Sequence, residues 1–117
     1  MDDIASNADI RRQRALRRLG SDAPQCCACP ERDPRCLELH HIAGRKNHDD
    51  TVPVCRNCHR KLSDLQLDHP SAAGSPPDRP VIIGHYLLGL ADLFRLIAER
   101  LVEFGHALIN GDDSHAR

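Results

Sequence analysis

Apolar positions along the chain change their period three times. Residues 8–19, ADIRRQRALRRL, set Ile10, Leu16 and Leu19 among five arginines ahead of Gly20, which predicts a short helix. CLELHH (36–41) and TVPVC (51–55) are short apolar runs flanking the polar loop IAGRKNHDD, and they read as two strands. Pro53 offers no amide to a ladder, so the second strand belongs at an edge. NCHRKLSDLQL (57–67) reads as a helix capped by Asn57. HPSAAGSPPDRP (69–80) has no apolar period and reads as a linker. Beyond it Ile83, Leu87, Leu90, Phe94, Ile97, Leu101, Phe104 and Leu108 follow at alternating steps of four and three. That is an unbroken heptad stripe on one long helix.

The pattern predicts an α+β chain in five parts: a basic helical arm (1–20), a small module (21–68), a linker (69–80), a long helix (81–110) and a tail (111–117). All three aromatics, Tyr86, Phe94 and Phe104, lie in the last third. The middle module is left without large side chains, and a segment that small needs a metal or cross-links to fold.

Charge refines the picture. With 28% charged and 40% apolar residues the chain is not low-complexity disorder. Its net charge of −1 hides a segregation: residues 10–61 hold twelve Lys+Arg against six Asp+Glu, residues 65–117 four against seven. The two halves are expected to do different jobs. For the arginines of the first helix two readings stand side by side, a solvated frayed helix and an arm that follows a phosphate backbone. Asp92, Arg95, Glu99, Arg100 and Glu103 argue against a bilayer span, so no membrane partner is expected.

The opening MDDIASNADIRRQRALRRLG lacks the apolar core of a secretory signal, so a cytoplasmic location is expected. There, cysteines read as metal ligands before disulfides. Cys26/Cys29 and Cys55/Cys58 form two Cys-x-x-Cys knuckles, and four thiolates of this kind suit tetrahedral structural zinc. Cys27 and Cys36 are left over and are expected to pack as small hydrophobes.

The residues between the knuckles carry a further signal. LELHHIAGRKNHDDTVPVCRNCHRKLSD resembles the HNH endonuclease family through His40-His41-Ile42, Gly44-Arg45 and Cys55-x-x-Cys58-His59, over roughly residues 26–67. The resemblance implies a zinc-stapled β-β-α-metal module that hydrolyses DNA phosphodiester bonds, leaving a 3′-hydroxyl and a 5′-phosphate. His40 and His59 then correspond to the ligands of a catalytic divalent ion, Mg²⁺, Mn²⁺, Ni²⁺ or Zn²⁺, and His41 to the general base. Imidazole suits that task, since its pKa near ~6.5 lets it take a proton from water at neutral pH. The family's loop-bracing Asn falls on Asp50 here, with Asn47 three residues earlier, and either residue is a candidate for the brace. Arg45 resembles a basic loop residue able to hold a phosphate oxygen.

His40 and His41 are adjacent, and neighbours on an ideal strand face opposite ways, so a common site requires the pleat to break there. His48, His69, His85, His106 and His115 receive no role. A zinc-stabilised binding module without catalysis accounts for the cysteines and the basic segment equally well, but gives no reason for the three imidazoles. The long helix has two uses: a homodimer through residues 83–108, which the length of the stripe favours, or folding back over Leu37, Leu39, Leu62 and Leu65. Membership of a larger phage or restriction assembly is a further possibility for the partners.

Overall fold

The computed structural model describes residues 6–70 and 78–111. Helix α1 spans Asn7–Leu19. Ser6 and Asp9 cap it reciprocally, and Gly20, at φ 71°, closes it in the left-handed region that glycine adopts freely. The helix is docked rather than frayed: Leu19 is buried, and Arg18 Nη2 donates to the Leu37 carbonyl at 3.3 Å. Arg11, Arg12, Arg14 and Arg17 remain exposed.

After a single 3₁₀ turn at Pro34–Cys36 come strands β1 (Leu37–His41) and β2 (Thr51–Cys55). They pair antiparallel in a register running from Leu37 opposite Cys55 to His41 opposite Thr51. In a two-stranded sheet each strand is an edge, which accommodates Pro53. Its carbonyl accepts from the Cys27 amide at 3.0 Å, tying the first knuckle to β2. Cys27 itself is exposed, not packed as expected.

Helix α2, Arg56–Gln66, begins one residue earlier than the sequence suggests, because its cap is Cys55 and not Asn57. Cys55 Sγ accepts from the Cys58 amide at 3.3 Å. A thiolate-bearing knuckle and a helix N-cap thus occupy the same position. Helix α3 runs Arg79–Ile109, starting with Pro80 in its first turn, where the missing amide costs no hydrogen bond.

The module core gathers Leu37, Val54 and Leu62, all nearly inaccessible, with Leu19 from α1 and Ile42 from the loop after β1. Two leucines of α3, Leu93 and Leu96, complete it. The long helix therefore folds back on the module, through Gly89, Asp92, Leu93 and Leu96 rather than through the predicted stripe. Of that stripe Leu90 and Ile97 pack at the margin of the core, while Leu87, Phe94, Leu101 and Leu108 stand 60–66% exposed. Residues 71–77 of the predicted linker and 112–117 of the predicted tail, with His115, lie outside the described residues.

Candidate functional site

The two knuckles meet. Cys26 and Cys29 come from the turn before β1, Cys55 from the end of β2 and Cys58 from the first turn of α2. Their four sulfurs lie within 4.8 Å of one another. Tetrahedral zinc with Zn–S near 2.3 Å sets its sulfurs about 3.8 Å apart, so these residues fit the ion without rearrangement of the backbone. Their chemistry fits as well. Burial and the neighbouring sulfurs push the Cys29 thiol up to about 11, and burial pushes Cys58 up too. At Cys55 burial works the same way, but hydrogen bonds from the Cys58 amide, the Cys58 and Cys29 thiols and the Asn57 amide together outweigh it and hold this thiol below its ordinary value. Such a crowd of sulfurs ionises together only beside a cation.

A second cluster is built on β1 and the start of α2. His40 is 2% exposed and its Nε2 has no hydrogen-bond partner among the described residues. The His59 ring meets it edge to face, centroids 5.4 Å apart. His59 Nδ1 donates to Glu38 Oε1 at 2.7 Å, since an ionised carboxylate only accepts. This leaves His59 Nε2 as the ring's available lone pair, the arrangement in which a carboxylate orients a metal-binding imidazole. Burial, then the nearby His59 and His41, lower the His40 pKa to about 4, so its imidazole is neutral at physiological pH and able to donate a lone pair. Among the described residues no third metal-ligating side chain converges with His40 and His59 as the four cysteines converge with one another.

Sequence reasoning overlooked Glu38. The signal was present, because residues two apart on a strand share a face, and Glu38 therefore lies on the His40 side of β1. An open groove beside His59 is lined by Glu38, Arg56, Arg60 and Asp64. Arg11, Arg12, Arg32 and Arg35 line a second groove against α1.

The other predicted residues are placed differently. β1 keeps its ladder through His41, so the pleat does not break between His40 and His41. The chain turns only afterwards, with Gly44 at φ 93°. Among the described residues the His41 ring makes no hydrogen bond; its carbonyl accepts from Gln66 Nε2 at 3.1 Å. Arg45 is exposed on the loop.

Both candidates for the brace hold that loop, each in its own way. Asn47 Nδ2 donates to the Ala43 carbonyl at 2.8 Å, and the Asp50 carbonyl accepts from the Ile42 amide at 3.1 Å. The Asp50 carboxylate accepts from Tyr86 Oη at 2.7 Å, a clasp from α3 that the sequence did not suggest. Tyr86 also meets the His48 ring edge to face at 5.6 Å.

Further into α3, Asp92 is 2% exposed. Arg95 Nη1 donates to its Oδ1 at 3.2 Å. His69 Nε2 stands 2.7 Å from Oδ2, out of line for a hydrogen bond. His69, read as the start of a linker, is in fact docked on the long helix.

No family model matches the chain, and neither does any curated protein or solved structure. The coarse architecture rests on its own geometry: an α+β chain with a β-hairpin followed by a helix, stapled where four cysteines converge.

Proposed function

We propose that this chain is a metal-dependent DNA endonuclease of the HNH kind, with Cys26, Cys29, Cys55 and Cys58 holding a structural zinc. His40 and His59 would hold a separate divalent ion. The observation that carries the reading is the pairing of a buried, partnerless His40 Nε2 with a His59 ring already oriented by Glu38. A zinc-stapled binding module has no use for that arrangement. Bound there, a divalent cation supplies Lewis-acid stabilisation of the charge that builds on phosphate and leaving oxygen.

The chain's own residues do the rest. Glu38 fixes the His59 tautomer. His41, the last residue of β1, would take the proton of the attacking water; with the ladder unbroken through His41 its ring starts on the face opposite His40, so this role requires the strand end to turn it towards His59. Arg45 on the loop, with Arg56 and Arg60 beside His59, neutralises flanking phosphates and draws in the polyanion. Clasped by Tyr86, Asp50 steadies the loop that carries Arg45.

Nicking of supercoiled plasmid, scanned over Mg²⁺, Mn²⁺ and Ni²⁺, tests the proposal. Cleavage is expected with at least one of these ions. His41→Ala should lower the rate about 10²–10⁴-fold, the usual worth of a general base, and leave the fold and DNA affinity intact. DNA binding without cleavage under every ion would mean that the non-catalytic module is the correct reading.

A further inference from the structure

Helix α3 has two faces, and among the described residues only one is occupied. Gly89, Leu93 and Leu96 lie on the module. On the opposite side Leu87, Phe94, Leu101 and Leu108 recur every seven residues and are 60–66% exposed. Between them, also every seven, lie Gly84, Ala91, Ala98 and Gly105. None of these eight positions carries a charge; Asp92, Arg95, Glu99, Arg100 and Glu103 all fall outside the strip.

The glycines sharpen the point. Gly89 is required by the fold, because a Cβ there would lie 1.7 Å from the Ile42 carbonyl oxygen. Gly84 and Gly105 have nothing within 4 Å of such a Cβ. Glycine is the least helix-favouring residue after proline, and nothing among the described residues asks for it at these two places. A helix approaching closely from outside the chain does.

We infer that this strip is the contact for a second copy of the chain, packed antiparallel on α3 about a two-fold axis. The occupant follows from the pattern. Laid antiparallel about the centre of the strip, Phe94 of each copy faces Ala98 of the other, Leu87 faces Gly105, Leu101 faces Ala91 and Leu108 faces Gly84. Every large side chain meets a small one, so the surface is its own complement, as a two-fold interface demands. A parallel pair sets Phe94 against Phe94 and leaves the small residues facing gaps. The strip is about 36 Å long and about 10 Å wide. With the flanking Leu88, Val102 and Ile109, all exposed, it approaches the roughly 800 Å² per partner of a stable interface.

An uncharged strip offers nothing to nucleic acid. By length and composition α3 is also apolar enough to cross a bilayer. Its inner face, however, is bound to protein along Gly89, Asp92 and Leu96, and lipid cannot surround it.

Sedimentation of the full zinc-loaded chain at micromolar concentration tests this, with a charge swap across the axis. The parent is expected at twice its 13.0 kDa chain mass. Phe94→Lys and Ala98→Glu should each halve that mass with unchanged helix content, since both positions are exposed in the single chain. The double variant sets Lys opposite Glu twice in the antiparallel pair and should recover the dimer. A monomeric parent, or single variants that remain dimeric, would overturn the inference. So would a double variant that stays monomeric, which refutes the antiparallel register. Flotation of the parent with phosphatidylcholine or phosphatidylglycerol vesicles, in place of self-association, would assign the strip to lipid instead.

Discussion

Gly89 passes beneath the Ile42 carbonyl with no room for a side chain: a Cβ would stand 1.7 Å from the oxygen and 2.6 Å from the carbonyl carbon. Ile42 opens the loop that links the two strands, so this one contact fixes the height of α3 over the hairpin. Tyr86 and Asp92, one turn to either side, owe their reach to it.

The first prediction follows. In an unobstructed helix Gly→Ala gains about 1 kcal/mol. Here the added methyl meets backbone, which cannot rotate away, and overpacking costs about 1–3 kcal/mol or more. Gly89→Ala is therefore expected to be destabilising by about 2 kcal/mol, lowering the melting temperature of the zinc-loaded chain by about 10 °C. An unchanged or raised melting temperature would show that α3 does not lie on Ile42.

Removal of zinc should unfold the module. Structural zinc in small domains binds with roughly 10–16 kcal/mol, as much as such a fold possesses in total. Excess chelator is expected to abolish the hairpin and α2, read by circular dichroism, with one zinc released per chain. Ser at any of Cys26, Cys29, Cys55 or Cys58 should weaken zinc retention. Cys27→Ser should not, because that thiol lies outside the cluster and on the surface.

His40 makes the fold sensitive to mild acid. Its pKa is lowered from 6.5 to about 4 by burial and by the neighbouring His59 and His41, while in the unfolded chain it titrates near 6.5. Between those values the unfolded state binds a proton that the folded state refuses. The stabilisation is whole above pH 6.5 and drains away as pH falls towards 4, on the order of 3 kcal/mol in all. Denaturant midpoints measured across this window, without added divalent cation, should fall with pH in the parent and flatten in His40→Gln.

Glu38 is the prediction specific to the imidazole pair. Glu38→Gln keeps the size of the side chain but weakens its grip on His59 Nδ1. Losses of about 10–100-fold in metal affinity accompany such changes. Calorimetric titration of the zinc-loaded chain with Ni²⁺ or Mn²⁺ should show that loss, with melting behaviour nearly unchanged because Glu38 is 42% exposed. Equal affinity in both proteins would separate Glu38 from any metal held by His59.

Much of the module was legible in the sequence because its constraints are local. Paired Cys-x-x-Cys spacing, two short apolar runs around a polar loop, and an Arg-rich helix closed by Gly20 each depend on neighbours a few residues away. The four-cysteine convergence and the order of elements followed from these. The α3 packing did not. A heptad stripe scores the longest unbroken apolar line, whereas the face that docks contains a glycine and a buried carboxylate, Gly89 and Asp92, between Tyr86 and Leu96. Glycine adds nothing to an apolar pattern, and Asp92 subtracts from it. Tyr86, His69 and Asp92 became meaningful only once the helix had returned to the loop and the end of α2. Cys55 was missed as a helix cap for a related reason: sulfur is a weak acceptor, and only the knuckle geometry aims it at the Cys58 amide.

That last detail ties two chemistries to one turn of backbone. Cys55 Sγ starts α2, and His59 sits on the same turn, one residue beyond Cys58. The direction of that imidazole is thus inherited from the sulfur cage. Anyone transplanting the histidine pair to another scaffold must carry the thiols along, and any oxidant or electrophile that dismantles the cage also misaims the ring.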